Sequence, residues 1–116
     1  MVFPNQTNHY GTLFGGDALR LMDMAAFVAA SRYARRPVVT ASSERIDFHV
    51  PVRQRQLAEV IGRATGTGRT SLTVEVELWA EDLLTGQREL CTKGGFVLVA
   101  VDDQGRPTPI ITVDPS

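Results

Sequence analysis

Between Gly15 and Pro37 lies the one stretch of this chain with helical character, and nothing after Pro37 repeats it. Gly15 and Gly16 open the run. Asp17 stands where the positive end of a helix dipole favours a carboxylate, and Arg32, Arg35 and Arg36 crowd the far end, where cations are favoured. Pro37 stops it, because proline has no amide hydrogen and clashes with the preceding turn. Leu19, Leu21, Met22, Met24, Ala25, Ala26, Phe27, Val28, Ala29 and Ala30 make the helix apolar almost all the way round. Such a helix has to be covered on more than one side. A curved sheet wrapping it covers one side, and a second subunit is the expected cover for another.

Everything after Pro37 reads as strands. Residues 38–50 are β-branched at their start and roughly alternating later, and 56–66 alternate in their first half. Residues 70–82 have the clearest period of two, with Leu72, Val74, Val76 and Leu78 on one face and Thr73, Glu75, Glu77 and Trp79 on the other. Residues 88–102 make a fourth strand, in which Gly94 and Gly95 indicate either a bulge or a close approach by another group. Turn-forming residues fill 66–68, 83–87 and 102–107, a spacing that implies an antiparallel meander or a near relative. The first eleven residues are polar and turn-rich, with room for a short fifth strand. The expectation is an α+β fold, one long central helix wrapped by a curved antiparallel sheet, in a single domain over 1–116.

Composition narrows the function classes. With a formal net charge of −1, the overall field gives no reason to expect a nucleic-acid surface or a polybasic membrane anchor. No apolar run reaches the roughly 18 residues that a spanning helix needs. The opening residues show neither the charged nor the apolar region of a signal peptide. Cys91 is the single cysteine, which excludes an internal disulfide. A soluble, cytoplasmic protein is expected.

At about 100° per residue, Leu19, Met22, Asp23, Ala26, Phe27 and Ala30 share one stripe of the helix. A carboxylate near the middle of an apolar stripe is costly unless it is hydrogen-bonded or has a raised pKa. Asp23 also lies too deep in the helix to be its N-cap. It is either a structural group, paired with an arginine or turned to solvent, or a base or nucleophile in a dry cleft. The residues upstream favour chemistry. Asn8, His9, Gly11, Gly15 and Gly16 precede the helix, whose exposed amides bind oxyanions and whose glycines let a carbonyl approach closely. Asp23 follows two turns later on the same side.

Other groups are weaker candidates. Arg69 suits an anion, and Thr70 and Ser71 follow it, although Gly68 to Ser71 also reads as a simple turn. Thr40 lies on the first long strand after the helix, within possible approach of the site. His9 and His49 do not have the spacing of a metal site, no G-x-S-x-G elbow is present, and Cys91 reads as a buried inert thiol.

The pattern N-x-x-G-x-x-F-G-G-x-x-(L/M)-x-x-M-D, carried by Asn8, Gly11, Phe14, Gly15, Gly16, Leu19, Met22 and Asp23, resembles that of hotdog-fold acyl-CoA thioesterases. The similarity continues through FHVPV at 48–52, GRTSLTVEVELWAED at 68–82 and FVLVAVDDQGRPTPI at 96–110, in order and over nearly the whole chain. One departure is the stretch before Asn8, seven residues here against a longer strand in the family. The resemblance implies hydrolysis of acyl-CoA to a free acid and coenzyme A, with no cofactor beyond the CoA of the substrate and no metal. It implies a homodimer or a trimer of dimers with sites at subunit interfaces. By position it makes Asp23 the catalytic carboxylate, Asn8 a group that helps place water, and Gly15 and Gly16 the amides that polarise the carbonyl. It assigns the stretch 68–71, with Arg69, Thr70 and Ser71, to contacts with the CoA moiety. His9 and Thr40 remain candidate pocket residues. The rival readings are a hydratase or dehydratase on the same fold, whose H-F-P-G or D-x-N-x-x-H stretches are not found here, and a non-catalytic acyl-CoA-binding module, which has no need of Asp23.

Overall fold

The computed structural model describes residues 15–44, 46, 52–53 and 56–110. Helix α1 spans Gly15–Ala34, followed by strands β1 (Val38–Ser43), β2 (Gln56–Thr67), β3 (Ser71–Asp82) and β4 (Arg88–Ala100). The helix ends where the sequence says it should. Arg35 takes a left-handed conformation at φ 53° and its amide donates to the Ser31 carbonyl at 2.8 Å, after which Pro37 prevents another turn.

The sheet is antiparallel with strand order β1-β4-β3-β2. Strands β2, β3 and β4 form the expected meander. Strand β1 crosses to the far side of β4 and becomes an edge, a placement made by long-range pairing that local pattern does not reveal. The expected first strand runs to residue 50, but strand geometry ends at Ser43; positions 47–50, and any fifth strand before residue 15, lie outside the described residues.

Period two decides the two faces. Leu72, Val74, Val76, Leu78 and Ala80 of β3 are buried under the helix. Opposite them on β4 stand Leu98, Phe96, Gly94 and Thr92. The extra residue in β4 is Cys91, skipped where pairing shifts between Leu78 and Trp79, so that Cys91 and Thr92 are both buried in succession. Gly94 and Gly95 pair in register and make no bulge. They provide close approach instead: a Cβ on Gly94 meets Ile46 at 2.9 Å, and one on Gly95 meets the Glu44 carboxylate at 2.7 Å. The chain leaving β1 is thereby laid flat against β4, with the Glu44 amide bonded to the Gly95 carbonyl at 2.9 Å.

The buried stripe of the helix is Ala18, Met22, Ala26, Ala30 and Ala34, one small residue per turn with a single large one. The expected stripe holds at Met22, Ala26 and Ala30 and is corrected along its flank. Leu19 and Phe27, expected inside, are 41% and 48% exposed, and Asp23 is half-buried on their flank. Small residues let the helix come close to the sheet. At Gly62 on β2 the contact is so tight that a Cβ would lie 2.8 Å from the Ala25 carbonyl oxygen and 3.3 Å from the Ala29 methyl. The obstacle is helix backbone, which cannot swing aside as a flexible side chain does. Gly62→Ala is therefore expected to cost about 1–3 kcal/mol by overpacking. Thermal unfolding should show a midpoint lowered by at least several degrees; an unchanged midpoint would mean that the helix does not rest on this strand.

Candidate active site

Asp23 projects from the flank of α1 towards the edge strand. On β1, Val38 and Thr40 face the helix, because they pair with Ala100 and Leu98, whose side chains are buried there. The pairing shifts at Ala41 and bends the strand just beyond Thr40. The Thr40 hydroxyl donates to Asp23 Oδ1 at 2.8 Å. No other described residue bonds to this carboxylate. The structure thus brings together two candidates that stand far apart in the sequence.

They share a cleft of about 360 Å³, lined by Leu19, Arg20, Asp23, Thr40, Ser43 and Phe96. Phe96 is wholly buried and closes the inner end, while Thr40 and Ser43 are exposed at the outer side. The walls therefore pass from apolar to polar. A carboxylate whose neighbour is a hydroxyl, beside an apolar recess, can accept a proton from water at a bound electrophile. Among the described residues Asp23 forms no ion pair. Among the described strands β1 is the edge of the sheet, and it forms one wall of the cleft.

Gly15 and Gly16 are the first two residues of the helix, and their amides belong to the four that have no partner within it. These donors and Asp23 lie on one helix, two turns apart. Asn8 and His9 fall outside the described residues. Arg69 and Thr70 form the β2–β3 turn, where the Arg69 carbonyl accepts from the Ile110 amide and the Thr70 carbonyl from the Ala100 amide, each at 2.9 Å. Ser71 shares the β3 face that points away from the helix. None of these three lines the Asp23 cleft of its own chain. Arg20 does line it and was not among the sequence candidates, since an arginine on a helix reads as solvated; its spacing of three from both Asp17 and Asp23 was the available signal.

A second cleft of about 300 Å³ lies on the other flank of the helix, lined by Met24, Ala25, Val28, Ala29, Arg32, Val60 and Gly62. It holds no carboxylate, thiol or hydroxyl. Among the described residues no group of three or more histidine, cysteine or acidic side chains is placed to hold a metal, and no helix is long and apolar enough to cross a membrane.

The pattern that defines the thioesterase superfamily matches residues 10–87. The chain belongs to this superfamily. Its α+β architecture is the hotdog fold, which the solved structures it resembles share. An uncharacterized acyl-CoA thioester hydrolase of Bacillus subtilis is 39% identical over 98% of this chain and 66% of its own length. An acyl-CoA hydrolase of Agrobacterium tumefaciens superposes with a TM-score of 0.88 at 46% identity, over 95% of this chain and 43% of the other. The chain thus spans less than two thirds of the length of either relative. The acyl-CoA hydrolase of Staphylococcus aureus, solved with butyryl-CoA, CoA and CoA disulfide, superposes with a TM-score of 0.90 at 31% identity, over 100% of this chain and 71% of the other.

Cys91 is the one thiol of the chain, and its surroundings disarm it. Burial pushes its thiol pKa up, the nearby Glu89 charge pushes it further, and a hydrogen bond with the Ala80 backbone offsets them only in part. Little thiolate forms near neutral pH, and reaction needs thiolate. An aromatic disulfide reagent at pH 7.5 should leave the native protein unmodified and label Cys91 stoichiometrically once denaturant is added; rapid labelling of the native protein would contradict the buried placement.

Proposed function

We propose that this superfamily member hydrolyses acyl-CoA thioesters to a free acid and coenzyme A, with Asp23 as the general base. The observation that carries this reading is a half-buried carboxylate, fixed through one oxygen by Thr40, on the wall of a cleft whose inner end is apolar. The acyl chain lies towards Leu19 and Phe96. The thioester oxygen takes hydrogen bonds from the Gly15 and Gly16 amides, which strengthen as negative charge develops on it. Asp23 Oδ2 removes a proton from water as it adds to the carbonyl carbon, and the tetrahedral intermediate expels CoA thiolate, a good leaving group. Thr40 keeps the carboxylate in one rotamer, Asn8 helps orient the water, and His9 lines the pocket. The CoA carried by the substrate is the only cofactor involved.

The open edge of β1 and the exposed Leu19 and Phe27 beside the cleft support an assembly in which a second copy completes the site. Its Arg69, Thr70 and Ser71 then meet the CoA moiety, which their own chain's cleft does not offer. The thioesterase of Yersinia pestis, 32% identical over 96% of this chain, is hexameric, and a homodimer or a trimer of dimers is the state proposed here.

Release of free thiol from a panel of acyl-CoAs tests the reading. Asp23→Asn should lower kcat by about 10²- to 10⁴-fold, the usual worth of a positioned base. The unfolding midpoint and CoA affinity should stay near wild type. Turnover undiminished in this variant would remove Asp23 from the mechanism.

A further inference from the structure

Arg20 is the one cationic side chain that lines the Asp23 cleft among the described residues. It is a poor candidate for packing, since its side chain is 68% exposed. A weak pair with Asp17, 3.7 Å between Nη2 and Oδ1, draws its guanidinium towards the start of the helix. Helical side chains already lean in that direction. By the helical rise, Asp17 lies about 9 Å along the axis from Asp23, beside the first-turn amides. The guanidinium therefore hangs at the mouth of the cleft, level with the helix start and on the solvent side, while the apolar recess at Phe96 lies inward.

This arrangement gives the two ends of a thioester different destinations. With the acyl chain directed inward and the carbonyl between the helix start and Asp23, the sulfur and its arm leave across the mouth. The first polar group on that arm is the amide formed on the cysteamine nitrogen, its carbonyl a few bonds beyond the sulfur. The phosphates lie much farther along the pantetheine arm, beyond the reach of a guanidinium level with the thioester. Resting on the thioesterase reading above, we infer that Arg20 donates a hydrogen bond to this first amide carbonyl of the pantetheine arm. Arg20 is then a substrate-binding residue that selects thioesters of cysteamine amides over simple alkyl thioesters. Asp17, anchoring the guanidinium from its other side, is a positioning residue.

Three substrates with one acyl group separate the possibilities: butyryl-CoA, butyryl-N-acetylcysteamine, which keeps the amide and lacks the phosphates, and S-ethyl thiobutyrate, which lacks both. Arg20→Met should raise KM roughly three- to tenfold, the scale of one charge-assisted hydrogen bond at a wet rim. That rise should appear for the first two substrates alike, with kcat little changed and the third substrate unaffected. Arg20→Lys should recover part of the loss, and Asp17→Asn should show a smaller change of the same pattern. Arg20 is exposed, so its variants should fold as the wild type does, and an unchanged unfolding midpoint checks this. A loss confined to butyryl-CoA would assign Arg20 to the phosphates and overturn the inference. An equal fall in kcat with all three would assign it to the reacting carbonyl, and no change with any would leave it without a substrate contact; each also overturns it. Failure of wild-type protein to release thiol from any acyl-CoA would remove the thioesterase reading itself, and the inference with it, an outcome distinct from a working enzyme indifferent to Arg20.

Discussion

The separation between helix and sheet governs this molecule. Ala18, Ala26, Ala30 and Ala34 bury almost no bulk, and Gly62 receives the Ala25 carbonyl with no side chain between. With so little material in the gap, a residue one position off the buried stripe comes level with the edge strand. That is how Asp23, on a side chain of only two carbons, meets the Thr40 hydroxyl. Larger residues on the stripe would hold the carboxylate away from its partner. The packing that makes the core shallow thus also sets the geometry of the candidate base.

Much of the fold was legible in the sequence because period and punctuation were clear. The glycine start, the basic end and Pro37 bracket the helix, and the alternation from Leu72 to Leu78 sorts the two faces of β3. What escaped did so for physical reasons. The expected stripe shares Met22, Ala26 and Ala30 with the buried one but leans towards Leu19 and Phe27, because large apolar side chains dominate any hydrophobic average whereas Ala18 and Ala34 contribute little to it. The position of β1 beside β4 depends on contacts between distant parts of the chain. The extra residue in β4 is Cys91, where nothing in composition marks a bulge; of the two alternatives open to the glycine pair, close approach is the one realised, by Glu44 and Ile46.

The candidate site was legible to the extent that each residue stood out against its local background. Asp23 is an anion amid apolar neighbours, and Thr40 stands out by its place on the next strand. Their meeting depends on the register of β1 against Leu98, which no single stretch of sequence encodes. Arg69, Thr70 and Ser71 illustrate the opposite limit. Their types suit an anionic ligand, yet their backbone is tied down at the end of the sheet and Ser71 faces away from the helix. Residue type alone does not tell which copy of a cleft such a group serves.

The residues that follow β4 have a part in how the domain assembles. The Val101 amide bonds to Pro37, Thr108 to Ala100 and Ile110 to Arg69, so the tail laces the helix exit and the β2–β3 turn to the last strand. A ribosome delivers Pro37 and Arg69 long before Ile110. The hairpin of β2 and β3 has its own turn bond, from the Gly68 amide to the Ser71 carbonyl at 2.9 Å, but its bond to Ile110 forms only once the tail arrives, a step that carries loop-closure entropy. Consolidation of this end of the sheet is accordingly a late step of folding, because its contacts join segments far apart in the chain.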